Sequence, residues 1–240
     1  MTTSTHQWLL RTTQWSIVVQ IITGILGLQG LFYTLPQPHS VLVDLLRVEM
    51  VVQFVEFCFY LSLLRFFNAS TMAITRYYDW VFTTPTMLFT TMVFFRYKEI
   101  NEPHSKLTPV TLNSFLKDNK QWIVLVFVFN FLMLLCGYAG EKRWMNRWMA
   151  SLIGFIFFGL SFYIIYSQFA IKSLQGTKMF TFLFVLWSLY GIVYLLPSDW
   201  KNISYNGLDI VAKNFFGLYL YFMIRDLQLK TTKPTTTIVK

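Results

Sequence analysis

Residues 76–85 read RYYDWVFTTP and residues 208–213 read LDIVAK, and both stretches lie inside long apolar segments. The first holds an arginine and an aspartate three positions apart, and the second an aspartate and a lysine four apart, so each pair shares one helix face. A charge at the centre of a bilayer costs at least about 2.5–3.5 kcal/mol on insertion scales, which makes such residues functional candidates. A buried ion-pair network that only fixes helix packing is the alternative. The four residues are Arg76, Asp79, Asp209 and Lys213.

The composition points to a membrane as the solvent for most of the chain. Of 240 residues, 55% are hydrophobic and only 13% are charged, whereas soluble domains carry about 25% charged residues. Residues 121–137 and 151–166 contain no charged side chain. Since a membrane-spanning helix needs roughly 20 mostly apolar residues, we expect an all-α, multi-pass integral membrane protein, located in a plasma membrane.

The apolar runs predict a bundle of seven transmembrane helices with no internal repeat and no second domain. Residues 1–12 form the predicted extracellular N-terminus, residues 13–226 the helical domain, and residues 227–240 a cytoplasmic tail that we expect to be disordered. The seven helices are predicted at residues 13–32, 41–66, 71–96, 121–138, 144–169, 178–196 and 203–226.

The distribution of lysine and arginine predicts the orientation. With the N-terminus outside, 11 of these residues lie in or beside the inner loops and tail and six lie outside, which favours N-out and C-in. The net charge of +9 is spread between apolar runs, so we expect no nucleic-acid partner. Residues 1–12 lack the pattern of a cleaved signal peptide, and the first helix is therefore expected to direct its own insertion.

Catalytic and metal-binding patterns do not occur in this sequence. Cys58 and Cys136 lie inside apolar segments and form no disulfide framework. The three histidines are scattered without the spacing of metal ligands, so no metal site is predicted. A glycine-rich phosphate loop and a nucleophile elbow are also missing. We therefore do not expect an enzyme.

A third motif completes a pattern that covers all seven helices. Residues 186–190 read LWSLY, and Tyr194 follows one turn later. Together with RYYDWVFTTP and LDIVAK, this motif resembles the microbial (type 1) rhodopsins of the bacteriorhodopsin superfamily. The resemblance implies that all-trans retinal is bound covalently to Lys213 as a protonated Schiff base, and lysine amines form Schiff bases with aldehydes.

The resemblance also implies roles for the neighbouring residues. Asp79 and Asp209 would be the counter-ions of the Schiff base, with Asp79 as first proton acceptor and with Arg76 and Thr83 in support. Gly191 stands where many relatives have a proline, which leaves the pocket shape open. An aromatic stripe by itself is more typical of ordinary core packing. The implied pocket residues are Trp80, Thr84, Trp187, Tyr190 and Tyr194.

The transport mode is less clear from the resemblance. Light-driven proton pumps of this superfamily usually carry a carboxylate eleven residues after the acceptor, and this position is Thr90 here. Their outer proton-release glutamates also lack clear counterparts. The set of proton-transfer residues that is usual in pumps is therefore incomplete.

The second helix carries a polar stripe that pumps seldom show. In channelrhodopsins, a glutamate of this helix faces an asparagine just after the retinal lysine and forms a central gate. The corresponding pair here would be Glu56 and Asn214, with Ser16 of the first helix in the pore lining. A polar contact between helices is the plainer interpretation. The stripe has spacings of four, three and four and consists of Glu49, Gln53, Glu56 and Tyr60.

Taken together, these features favour a light-gated cation channel that conducts H⁺, Na⁺ or K⁺. The alternative is a light-driven outward proton pump with Glu49 as a relocated proton donor, and a photosensor is a third class. The compact chain resembles the rhodopsins of giant viruses of marine protists, which include both modes. We expect a homo-oligomer in a lipid bilayer, with Asn130 facing Thr84 across the retinal.

Overall fold

The computed structural model describes residues 3–68, 71–103 and 105–232, and within these ranges it contains helices and no strand. Residues 233–240, most of the predicted tail, lie outside the described part. The eight α-helices and one 3₁₀ helix are α1 (Thr3–Gly30), α2 (Ser40–Arg65), α3 (Met72–Ile100), α4 (Leu112–Asp118), α5 (Lys120–Glu141), α6 (Arg147–Gln168), the 3₁₀ helix (Ala170–Lys172), α7 (Leu174–Tyr194) and α8 (Ser198–Thr232).

Seven of these helices are long, and they form a closed ring. Around the ring, α1 packs against α2, followed by α3, α5, α6, α7 and α8, and α8 returns to α1. The last helix also packs against α2, which places it beside the centre of the bundle. The predicted seven-helix bundle is confirmed, and α4 is a short addition that packs on α5.

The outer surface of the bundle is apolar. Helices α1, α5, α6, α7 and α8 are each long and apolar enough to cross a membrane. Helices α2 and α3 have similar lengths, but they carry more ionisable residues, and those nearest the centre, such as Glu56 and Asp79, are buried inside the bundle. The exposed side chains on the outside include Trp15, Phe54, Phe82 and Trp148. Apolar side chains thus lie on the outside and ionisable side chains on the inside, as expected for a protein surrounded by lipid.

The two ends of the bundle interior differ in character. At one end, which we name the Arg76 side, buried polar residues such as Asn202 and Asn206 lie among aromatic rings. At the other end, the Glu49 side, a large apolar cluster fills the interior. Four of its members form what we name the plug, and each is at most 2% exposed: Leu46, Phe94, Phe216 and Leu220.

The first and last helices are longer than predicted. Helix α1 begins at Thr3, ten residues early, because Leu9 is fully buried in a cluster with Tyr60. Helix α8 continues to Thr232, so residues 227–232 are helical, contrary to the prediction of a disordered tail there. Leu227 packs against the main core cluster and extends the apolar face past the predicted end.

Helix α4 was not predicted, because its segment is short and polar. It begins with a capping box in which the Thr111 side chain accepts from the backbone amide of Ser114, and the Ser114 side chain accepts in return. Phe115 anchors the helix, since it is buried against Phe89 and Phe169. The polar linker is thereby fixed to the end of the bundle.

Close packing of α5 against its neighbours depends on Gly140. A Cβ atom there would lie 2.7 Å from the Cβ of Ala150 and against the hydroxyl of Tyr194. We expect Gly140→Val to lower the free energy of unfolding by about 1–3 kcal/mol through overpacking. Thermal unfolding in detergent, followed by circular dichroism at 222 nm, measures the change. The matched control is Gly159→Val, where nothing lies within 4 Å; equal melting temperatures for the two variants would contradict the packing argument.

Candidate functional site

Helix α8 places Lys213 in the middle of the bundle, with 4% of the residue exposed. Its Nζ forms an ion pair and hydrogen bond with Oδ2 of Asp79 on α3. The same Nζ lies 3.9 Å from Oε1 of Glu56 on α2. The structure therefore joins Lys213 to the predicted counter-ion Asp79, and it adds Glu56, which we predicted for the gate, as a second carboxylate.

Asp209 lies one helical turn before Lys213, and its carboxylate is held by three donors. Oδ2 accepts hydrogen bonds from Arg76 Nη1 at 2.9 Å and from the Tyr60 hydroxyl at 2.8 Å, and Oδ1 accepts from the Tyr190 hydroxyl at 2.9 Å. By contrast, Oδ1 of Asp79 has no hydrogen-bond partner among the described residues. The two predicted counter-ions thus have different environments, one with both oxygens bonded and one with a free oxygen.

Arg76 is completely buried and is held from several directions. Its Nη1 also lies 3.1 Å from the Tyr60 hydroxyl, and its Nη2 donates to Oδ1 of Asn206. The rings of Tyr60 and Tyr205 flank the guanidinium carbon at 5.7 and 5.6 Å. A buried arginine is costly unless its donors are used; Nη1 and Nη2 both donate, whereas Nε has no partner among the described residues. Arg76 therefore links α3 to α8 and α2.

Asn206 organises the contacts at this level. Its Nδ2 donates to the hydroxyls of Thr12 at 2.8 Å and Thr13 at 3.0 Å on α1. The sequence interpretation missed Asn206, although it lies three residues before Asp209 and so on the same face. We name the set that meets here the Asn206 layer; its members are Asn206, Arg76, Tyr60, Thr12, Thr13 and Ser16.

A second polar layer lies on the Glu49 side of Lys213. Oδ1 of Asn214 accepts from the Thr23 hydroxyl at 2.5 Å and from Nε2 of Gln53 at 3.1 Å, and Gln53 also donates to Thr23. We name Thr23, Gln53 and Asn214 the Asn214 layer. The predicted pairing of Glu56 with Asn214 is not formed, since neither carboxylate oxygen of Glu56 has a hydrogen-bond partner among the described residues. Gln53, one turn away on α2, occupies that place.

Two predicted residues take part only through backbone contacts. The Thr83 hydroxyl donates to the backbone oxygen of Asp79 at 3.0 Å, and no bond joins it to the Asp79 carboxylate. Ser16 lies 3.5 Å from the backbone oxygen of Asn206 and also donates to Thr12 within α1. Ser16 therefore belongs to the Asn206 layer and does not contact Asn214.

Glu49 lies beyond the Asn214 layer, with 3% of the residue exposed. The Thr90 hydroxyl donates to its Oε1, so Glu49 reaches the α3 position that is eleven residues after Asp79. The plug begins next to this pair. A carboxylate from α2 thus lies against Thr90 of α3.

A cavity opens beside Lys213, and all five predicted pocket residues line it. It contains about 830 Å³ of space, including its open mouth. Aromatic and apolar side chains form most of the wall, and Nδ2 of Asn130 donates to the Thr84 hydroxyl at 2.8 Å, the contact that the sequence suggested. Gly191 leaves room that the ring of Phe155 fills, because a Cβ there would lie 2.7 Å from Cε2 of that ring and closer still to its Cζ.

Comparisons with known proteins agree with this geometry. The profile of a family described as bacteriorhodopsin-like protein matches residues 11–227. The viral rhodopsin OLPVRII has a similar structure, with a TM-score of 0.77 and 23% identity over 91% of this chain and 98% of that chain. The blue light-absorbing proteorhodopsin from Med12 gives a TM-score of 0.69 and 20% identity, with coverage of 91% and 98%.

A light-driven proton pump from Leptosphaeria maculans, LR (Mac), is also similar, with a TM-score of 0.66 and 15% identity over 91% of this chain and 96% of that chain. Among curated protein sequences, none matches the chain. The family profile covers far more than half of the sequence, and its members bind retinal through a Schiff-base lysine. The chain therefore belongs to the bacteriorhodopsin-like family and is a retinal photoreceptor that crosses the membrane several times.

Proposed function

We propose that this protein is a light-gated cation channel that carries all-trans retinal on Lys213. The observation that supports the proposal is a column of buried polar side chains between α1, α2 and α8, which passes beside Lys213. Buried polar groups at membrane depth are costly, and they commonly mark the pathway of an ion. The column consists of Thr13, Ser16, Gln20, Thr23, Glu49, Gln53, Glu56, Asn206 and Asn214.

The cavity suits retinal in shape and chemistry. It is lined by Trp80, Trp187 and Tyr190, which offer flat apolar surfaces to a conjugated chain, and it ends at the amine of Lys213. The carboxylate of Asp79 lies against that amine and would balance the charge of a protonated Schiff base. Bound retinal supplies light absorption and a change of shape at the lysine amine.

The carboxylates around Lys213 are suited to different tasks. Both oxygens of Asp209 already accept hydrogen bonds, from three donors in all. Asp79 has a free oxygen and is in contact with Nζ, which makes it the better acceptor of a proton from Lys213. When that proton moves to Asp79, the ion pair between Lys213 and Asp79 becomes neutral. The net charge is unchanged, but the positive charge next to Glu56 is lost, so that carboxylate attracts cations in the column more strongly.

Two barriers must open before the column conducts. The first is the Asn214 layer, in which Thr23, Gln53 and Asn214 bond to one another across the path. The second is the plug, which is apolar and excludes water. Hydrophobic constrictions gate ion pores by this kind of dewetting. With both barriers in place, the proposed pathway is closed.

A light-driven outward proton pump is the second candidate, and the contact between Glu49 and Thr90 favours it. The position of Thr90 is where pumps of this family usually hold the carboxylate that returns a proton to the lysine. In such a pump, Asp79 would accept the proton and Glu49 would replace it. The plug would then keep the Glu49 side closed to other ions.

The remaining parts of the proposal concern the surroundings. The protein would lie in a lipid bilayer with its N-terminus outside, assemble as a homo-oligomer, and conduct H⁺, Na⁺ or K⁺. Its function would be transport and light detection, with no enzymatic conversion of a substrate.

Retinal attachment can be tested by absorption spectroscopy. Purified protein with added all-trans retinal should show a visible band, and Lys213→Ala should abolish it because the only proposed attachment point is removed. Lys142→Ala, at an exposed lysine, should keep the band. A visible band in Lys213→Ala at wild-type intensity would overturn the assignment of Lys213.

The transport mode can be tested by whole-cell voltage clamp under light flashes. We expect a photocurrent that reverses sign with voltage, at a reversal potential that follows the cation gradient, because a passive path sets no direction. A current that stays outward at every holding potential would instead establish the pump.

Glu49→Gln separates the two candidates at the level of one residue. In a channel, the variant should keep a reversing photocurrent. In a pump, loss of the proton donor should slow recovery of the dark absorption band by about 10²-fold or more. The control Glu99→Gln changes a glutamate that pairs with Arg96 away from the column and should leave recovery unchanged. If recovery is slow in Glu49→Gln and returns to the wild-type rate when azide is added, the result would favour the pump.

A further inference from the structure

Between the Asn206 layer and the Asn214 layer lies a level of the bundle at which buried polar side chains lack hydrogen-bond partners among the described residues. On α1, Ser16 belongs to the Asn206 layer and Thr23 to the Asn214 layer. On α2, Tyr60 contacts Asn206, and Gln53 contacts Asn214. Helices α1 and α8 run in the same direction, because Ser16 meets residue 206 and Thr23 meets residue 214. The level between the layers lies at the height of Lys213 and the turn before it.

Gln20 occupies this level on α1, four residues after Ser16 and three before Thr23, on the same face of the helix. Only 2% of the residue is exposed, and neither Nε2 nor Oε1 has a hydrogen-bond partner among the described residues. Its backbone oxygen, in contrast, accepts from Nε2 of Gln53 at 3.0 Å. A buried amide without partners is strongly unfavourable, so we expect water or a ligand to supply its hydrogen bonds.

Glu56 occupies the same level on α2, three residues after Gln53 and four before Tyr60. It is completely buried, and neither carboxylate oxygen accepts a hydrogen bond from the described residues. Its nearest cation is Lys213, with Nζ at 3.9 Å. Two oxygen-bearing side chains from adjacent helices thus lack hydrogen-bond partners among the described residues, and they lie between two layers whose members bond to one another.

The charges at this height do not balance. Arg76 and Lys213 supply two positive charges, whereas Asp79, Asp209 and Glu56 supply three carboxylates, which leaves one negative charge in excess when all are ionised. An uncompensated charge in the bundle interior is costly. One proton or one monovalent cation would balance this excess charge. The oxygens without hydrogen-bond partners, those of Gln20 and Glu56, lie on the side of the polar column.

We propose that Gln20 and Glu56 line a hydrated chamber that binds one alkali-metal cation between the Asn206 layer and the Asn214 layer. This inference rests on the proposed channel function. Glu56 supplies the charge, and the amide oxygen of Gln20 supplies a neutral ligand of the kind that selectivity filters use. Gln20 is therefore a residue that determines which cation passes, because its removal changes the ligands and leaves the net charge unchanged.

The position of the chamber explains how light would control it. The charge on Lys213 lies within 3.9 Å of Glu56 and competes with a cation for the same carboxylate. Transfer of the proton from Lys213 to Asp79 leaves Glu56 free to pair with the cation. Occupancy of the chamber is then coupled to the charge of the lysine.

The experiment compares Gln20→Leu with Gln14→Leu by voltage clamp, with Na⁺ on one side and K⁺ on the other. Gln14 is an exposed glutamine on the same helix and serves as the matched control. We expect Gln20→Leu to reduce the photocurrent about tenfold, as for the loss of one polar partner, and to shift the reversal potential. Gln14→Leu should match the wild type in both. The visible absorption band of each variant verifies folding and retinal binding.

The outcomes separate this inference from the proposed function. A wild-type photocurrent that reverses, together with unchanged current and reversal potential in Gln20→Leu, overturns the chamber and leaves the channel intact. A wild-type photocurrent that never reverses overturns the channel and the chamber together. If Gln20→Leu shows no absorption band, Gln20→Asn decides, because it keeps an amide but shortens it; an unshifted reversal potential in that variant overturns the chamber.

Discussion

Neutralisation of Lys213 and Arg76 inside the membrane is the constraint on which the rest of this structure depends. Two buried cations cannot remain in a low-dielectric interior unless carboxylates lie next to them. The carboxylates come from α2, α3 and α8, so these three helices must meet at one height. The surrounding hydrogen bonds from tyrosines and asparagines follow from the same need, since each satisfies a donor or acceptor that the ion pairs leave open.

This arrangement gives chemically similar residues different roles. Asp79 and Asp209 are both buried aspartates near Lys213, but Asp209 is held by Arg76, Tyr60 and Tyr190. Both of its oxygens are engaged, and its ion pair with Arg76 balances the charge of the arginine. Asp79 faces only the lysine with one oxygen and keeps the other free, so its protonation can change without breaking the network. Asymmetry of this kind is what a directed proton transfer needs.

Much of the fold could be predicted from the sequence, because seven apolar runs and the need to bury the charges inside them leave few other architectures. The central charges and the pocket were also predictable, since Asp79 and Lys213 are defined by their motifs. The partner of Asn214 was not predicted correctly. The periodicity of α2 shows which residues share a face, but it does not show how far α2 is shifted along its axis relative to α8. For this reason, Glu56 was expected at the position that Gln53 occupies. The sequence interpretation missed Asn206 because an uncharged asparagine in an apolar helix is less costly than a charged residue and does not stand out. Its role is evident only from its contacts.

The difference between a channel and a pump is confined to the Glu49 side of the bundle. The charged centre and the Asn206 layer would serve alike in the proposed channel and in the alternative pump, because both would require a proton to leave Lys213. Glu49 lies at the boundary where the polar column ends and the plug begins, and its carboxylate touches Thr90. If the plug admits water, Glu49 is the last polar group that an ion meets; if it stays dry, the same carboxylate can exchange only a proton. Under this proposal, the hydration of four apolar side chains would therefore separate the two candidate functions of a site that is otherwise the same.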